Sequence, residues 1–219
     1  MKVTARDFIQ IWQGFMEDLE KNSQEKLEQA YVSNADWSKL LLGEKKPESK
    51  NTPLADYIRR NQYRSARYHK EYKGIDLVFV LQDNFSQIFA LSTGNSKQED
   101  LVDKRAFVPK FIDMLVEHET DINKCYEEML RLVNHKARLK VLITYDWETT
   151  EQDTYSYMKN TIGENFHKII QQANELFPEN PETEYLLVIG YKTDEGKIAW
   201  NFYIYQIRAN VFYTKYQPI

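Results

Sequence analysis

A chain of 219 residues, 42% of them hydrophobic, is long enough to bury a full core, and its length fits one large α/β domain better than two small ones. The lone Cys125 excludes an internal disulfide framework, no apolar run is long enough to span a bilayer, and residues 1–10 show no charged-then-apolar leader, so a cytoplasmic, non-membrane location is the expectation. A net charge of −4 argues against a protein that coats nucleic acid through its overall charge and leaves local basic patches open.

The chain opens with helical spacing. Phe8, Trp12, Phe15 and Leu19 recur every three or four residues, with Ile11 and Met16 widening the stripe, which predicts a surface-docked helix. Asn22 followed by Glu25 has the form of a capping box for a second helix, whose apolar positions Leu27, Tyr31, Trp37, Leu40 and Leu41 are interrupted by polar residues 33–36. Residues 44–52 read as a solvated connector. Thr52 and Pro53 then supply an N-cap and a first helical position for a short helix through Arg60.

From there the period changes to strands. Residues 75–81 are too continuously apolar for an edge and predict a central strand covered on both faces, with Asp76 inside the run. A polar turn at 82–86 leads to a second strand at 88–91, and two helices follow, at 108–117 and about 121–134, the latter with Ile122, Tyr126, Met129 and Val133 on one face. Residues 139–145 predict a third buried strand. A long helix is expected from about 154 to 176, with Tyr155, Met158, Ile162, Phe166, Ile169, Ala173 and Leu176 inward, stopped by Pro178 and Pro181. Strands at 185–191 and 197–207 are joined at 193–196, where Gly196 can take the positive φ of a tight hairpin, and the final residues predict an extended tail that packs back.

The order of helix, two strands with an acid, helix, LKVLITY strand, helix and strand resembles the PD-(D/E)xK nuclease superfamily, the restriction endonuclease-like fold. EYKGIDLVFV is similar to the segment carrying the first metal-binding Asp in a bacterial branch of that superfamily, and NKCYEEMLRLVNHKARLKVLITY to the same branch's helix and third strand, so the resemblance covers roughly residues 68–145. It implies an α/β fold with a mixed sheet flanked by helices, in one domain over 1–219, with a helical extension and connector at 1–52 and the core at 53–219. Asp76 then matches the metal-binding Asp, Glu128 an acid on the following helix, and Arg131 a Lys that some members place there.

Where such relatives show Glu-x-Glu or Glu-x-Lys followed by Asn-Ser, the chain reads Ser92-Thr93-Gly94-Asn95-Ser96, so Ser92 and Gly94 stand at the positions of lost charged groups. Mg²⁺ wants hard oxygen ligands and is usually held by one or two carboxylates plus substrate phosphate, a role a neutral serine hydroxyl fills poorly. Arg131 keeps a positive charge but cannot act as a base. Asp76 also has a plain alternative as a buried acid satisfied by backbone or Arg, Glu128 as a solvated helix acid, and Glu71 as a surface acid facing the other side of a regular strand unless Gly74 breaks the pleat. The four His and Cys125 show no zinc spacing.

Between residues 57 and 73 the charge reverses locally: Arg59, Arg60, Arg64, Arg67, Lys70 and Lys73 stand against Glu71, alternating with Tyr57, Tyr63, Tyr68 and Tyr72. Such a stretch can neutralise phosphates and stack bases, and Arg131, Lys136, Arg138 and Lys140 could extend it. The competing reading is a helix and edge strand whose Tyr pack inward and whose Arg pair with acids. The expected function is therefore a catalytically degenerate nuclease-like domain, without cofactor, that binds nucleic acid or a protein partner, as in restriction or phage defence. The alternatives are an active Mg²⁺-dependent nuclease using Asp76, Glu128 and a relocated third acid, and a homo-oligomeric interaction protein with aromatic-rich surfaces.

Overall fold

The computed structural model describes residues 3–31, 33–44, 52–61, 63, 67–72, 74–80, 112–146 and 165–214. The first helix, α1 (Ala5–Asn22), begins at Thr4, whose hydroxyl accepts the Asp7 N–H at 3.2 Å while the Asp7 carboxylate accepts the Thr4 N–H at 2.9 Å, a capping box that satisfies two end donors reciprocally. Its predicted stripe, Phe8, Ile11, Trp12, Phe15, Met16 and Leu19, is buried. The capping box expected at Asn22 does not form: Asn22 instead donates from its side chain to Asp18, and α2 (Gln24–Ala30) starts with no side-chain cap. The polar interruption at 33–36 is a true break, because the Ser33 side chain accepts the Asp36 N–H and opens a separate helix, α3 (Asn34–Leu42), that buries Trp37, Leu41 and Leu42. A fourth helix, α4 (Pro53–Asn61), starts at the predicted proline.

Among the described residues, seven strands form one mixed sheet in chain order: β1 (Arg67–Tyr72), β2 (Ile75–Val80), β3 (Met114–Glu119), β4 (Leu139–Asp146), β5 (Glu184–Lys192), β6 (Ile198–Gln206) and β7 (Val211–Thr214). The β3–β4 and β4–β5 pairs are parallel and the others antiparallel. Parallel neighbours need crossovers, and these carry α5 (Cys125–Val133), entered through a 3-10 turn at Ile122–Lys124, and α6 (His167–Leu176). Helices α1–α4 pack on one face of the sheet, against Leu77, Phe79, Val116, Val141, Ile143, Tyr145 and Val188. On the other face, Val78, Val80, Leu115, Leu142, Leu187 and Ile189 meet α5 and α6, so the sheet is covered on both sides as its continuous apolar strands require.

Beyond the capping box at Asn22, residues 114–117 and Leu176 depart from expectation, and Gly74 decides an open alternative. Residues 114–117, expected at the end of a helix, belong to β3. A short, continuously apolar run such as Met114-Leu115-Val116 has no period to distinguish strand from helix, and covering on both faces is what makes it apolar throughout. Glu71 and Asp76 do not share a regular strand: Gly74, at φ +83°, turns the chain between β1 and β2 and brings residue 71 to the register position opposite residue 76. Leu176, expected inward, is 74% exposed at the end of α6, and the tail's residues Val211–Thr214 form a strand paired with β6. The expected strand at 88–91, with Ser92 and Gly94, and the helix portions at 108–111 and 154–164 lie outside the described residues.

Candidate functional site

β2 and β3 run antiparallel with Leu77 opposite Val116, so continuing the register by one step sets Asp76 opposite Glu117. There the backbone ladder gives way to side chains. The Asp76 N–H donates to Glu117 Oε2 at 3.2 Å, and the His118 N–H donates to Asp76 Oδ2 at 2.9 Å. Each carboxylate thus occupies a main-chain donor of the facing strand, at the carboxyl end of the parallel pair β3–β4, where open α/β sheets present their ligand crevices.

Strand alternation places Glu117 on the face that carries Leu115, toward α5, where Glu128 and Arg131 lie one turn apart. Glu117 is 1% exposed and Glu128 6%. Arg131 Nη1 donates to both oxygens of Glu128, at 2.8 and 2.6 Å. Burial first, then the charges of Asp76 and Glu128, push the Glu117 carboxyl up to about 9, so that it keeps its proton at neutral pH. Glu128 is also raised by burial, with Arg131 pulling the other way and Glu119 adding to the rise. Glu117 Oε1 is buried without a protein donor among the described residues.

Glu119, two residues beyond Glu117, is half-buried and accepts the Asp121 N–H at 2.8 Å. Glu117-His118-Glu119 is an acid-x-acid triplet on the strand beside Asp76. The missed signal was short: an acid-x-acid triplet directly after an apolar run, hidden by assigning that run to a helix.

Among the described residues, no set of three His, Cys, Asp or Glu side chains is arranged to hold a metal ion. What is present is a carboxylate pair, Asp76 and Glu117, with one buried oxygen lacking a donor and a third acid adjacent. That donor chemistry fits a hard divalent cation completed by substrate oxygens and water, and does not amount to an all-protein cage.

The basic stretch divides. Arg59 and Arg60 are exposed on α4, with the Arg59 guanidinium 5.8 Å from the centre of the Tyr68 ring. Lys70 is taken up by the carbonyls of Leu42 and Glu44, at 2.8 and 2.9 Å, and ties β1 to the end of α3. Tyr63 is buried, and Tyr57 packs edge-on against Phe15 with ring centres 5.4 Å apart, so these rings serve the core and not a stacking platform. Arg64, Lys73 and the Arg67 side chain lie outside the described residues. In the second group, Arg131 holds Glu128, Arg138 faces Asp113 at 4.0 Å, Lys136 donates to the Phe177 and Pro178 carbonyls, and Lys140 is buried against Glu179 and Tyr185.

A groove of about 590 Å³ lies elsewhere, lined by Leu19, Lys26, Lys39, Leu40 and Pro53 among others, and Asp76, Glu117, Glu119 and Glu128 are not among its lining residues. No helix among the described residues is long and apolar enough to cross a membrane. No family model, no curated protein and no solved structure matches the chain.

Proposed function

We propose that the chain is a divalent-cation-dependent nuclease of the PD-(D/E)xK type, in which Asp76 and Glu117 are the ligand pair and Glu128 supports them from α5. The observation that carries this reading is the Asp76–Glu117 arrangement: a second carboxylate stands opposite the first on the neighbouring antiparallel strand, followed two residues later by Glu119. This placement supports a ligand pair of the kind the family resemblance implies, with Glu117 in place of the charged group expected at Ser92. The order of elements around it, an acid-bearing β2, then β3, α5 and β4, agrees with the same resemblance.

In this scheme a bound Mg²⁺ would supply charge stabilisation at a phosphodiester and a more acidic water. The chain's own residues do the rest. The His118 and Asp76 backbone N–H groups fix the two carboxylates, burial at the strand ends limits water around Glu117, and Arg131 compensates the charge of Glu128 without acting as a base. Supercoiled DNA, single-stranded DNA and RNA incubated with Mg²⁺ or Mn²⁺ test the reading: cleavage by wild type, reduced at least about a hundredfold in Asp76→Asn and Glu117→Gln, is expected.

A non-cleaving domain that binds nucleic acid or a protein partner is favoured by one observation, the lack of a three-residue ion site among the described residues. Absence of cleavage together with absence of Mn²⁺ binding would select it.

A further inference from the structure

Behind the acid pair lies a run of aromatic rings that the proposed chemistry does not use. Strand alternation turns His118 away from Glu117, to the face of the sheet covered by the N-terminal helices. There its ring meets Tyr145 of β4, with centres 5.3 Å apart at 64°. Tyr145 in turn lies edge-on to Trp37 of α3 at 5.2 Å and 88°, and both contact Trp200 of β6, at 5.7 and 5.9 Å. Gly190 of β5 makes this possible: a Cβ there would stand 2.7 Å from Trp200 and 3.0 Å from Tyr145. Trp37 and Tyr145 are 0% and 2% exposed.

We infer that Tyr145 and Trp37 are positioning residues for the Asp76 carboxylate, so that the N-terminal helices form the back wall of the acid site and are not an appendage to the sheet. The inference rests on the proposed function for its catalytic meaning, but its structural content does not. The link runs through ring packing. The His118 ring lies against Tyr145, which holds the backbone whose N–H donates to Asp76 Oδ2. Trp37 packs edge-on behind Tyr145 and holds that ring in turn. Tyr145→Leu and Trp37→Leu remove one ring each.

The test reads the His118 backbone amide, since that proton makes the bond to Asp76. Its resonance and hydrogen-exchange rate are measured in wild type, Tyr145→Leu, Trp37→Leu and a control, Phe8→Leu, in the same core. Mn²⁺ affinity is measured by calorimetry on the same proteins. Positioning predicts His118 exchange about tenfold faster in Tyr145→Leu and Trp37→Leu, with Mn²⁺ affinity down by about tenfold, and neither change in Phe8→Leu. A His118 amide that behaves alike in all three variants overturns the inference, whatever the melting temperatures do. If one of the two ring deletions does not fold, the other decides. Wild type that binds no Mn²⁺ contradicts the proposed function alone, and the amide measurement still decides the positioning.

Discussion

Asp76 gives its backbone N–H to the Glu117 carboxylate, while its own carboxylate receives the N–H of His118, the residue next to Glu117. Two strands that would otherwise continue a ladder are thus joined through two acids. The backbone donors are satisfied, but acids are gathered in a buried place, and the Glu117 carboxyl is pushed up as a result.

The first consequence is that Glu117 destabilises the ion-free protein. Its folded-state pKa of about 9 lies above the ordinary carboxyl value of 4.5, so between those pH values the folded chain holds a proton that the unfolded chain has released, and stability falls as pH rises. Glu117→Gln removes this dependence and, in the presence of a chelator at pH 7, is expected to raise stability by up to about 3 kcal/mol. Urea denaturation across that pH range checks it. A clear loss of stability would mean that Glu117 is a structural acid.

Asp76 is expected to behave differently, because its carboxylate accepts a main-chain bond. Asn keeps an acceptor and should stay within about 1 kcal/mol of wild type, whereas Ala leaves the His118 N–H without a partner and should cost about 1–3 kcal/mol. Equal losses in the two variants would show that the bond to His118 does not contribute.

At the opposite end of β4, Lys140 is fully buried, ion-paired with Glu179 and hydrogen-bonded to the Tyr185 hydroxyl at 3.0 Å. Burial pushes its ammonium down to about 8, against the pull of Glu179. The unfolded chain keeps this proton up to about 10.5, so the group makes stability rise from about pH 8 to that value. Lys140→Met should cost on the order of 3–5 kcal/mol by leaving buried Glu179 to the more distant Lys136 at 3.9 Å, and adding Glu179→Gln should recover much of it. Chemical denaturation of the single and double variants at pH 8 and 10 measures both effects, with wild type gaining on the double variant at the higher pH.

Much of the fold was legible because its signals were local and periodic. The α1 stripe, the Pro53 start, the α5 face and the Gly196 hairpin each rest on residues close in sequence. β3 was not legible, since Met114-Leu115-Val116 is apolar on both faces and periodicity is silent there. Glu117 lies just beyond that run, so its place opposite Asp76 was hidden with it. The Trp37–Tyr145–His118 contacts join residues far apart in sequence, which a single chain's pattern does not encode. The basic stretch was read correctly as charge, but charge alone did not reveal that Lys70 holds two carbonyls or that Tyr57 and Tyr63 pack inward.

Gly190→Ala tests the aromatic wall from its other side. A methyl group at 2.7–3.0 Å from the Trp200 and Tyr145 rings must displace one of them, in a central strand with little room to yield. A cost of about 1–3 kcal/mol is expected, with altered tryptophan fluorescence. A variant as stable as wild type with an unchanged spectrum would show that the rings are loosely held.

The central claim is that Asp76 and Glu117 together bind a divalent cation, and titration calorimetry of Mn²⁺ into the metal-free protein tests it most directly. Wild type is expected to bind about one ion, Glu117→Gln and Asp76→Asn each to lose at least about tenfold in affinity, and binding to release protons near pH 7 because Glu117 must give up the one it holds. Wild-type protein with no measurable Mn²⁺ binding, or binding that survives both substitutions unchanged, would contradict the account.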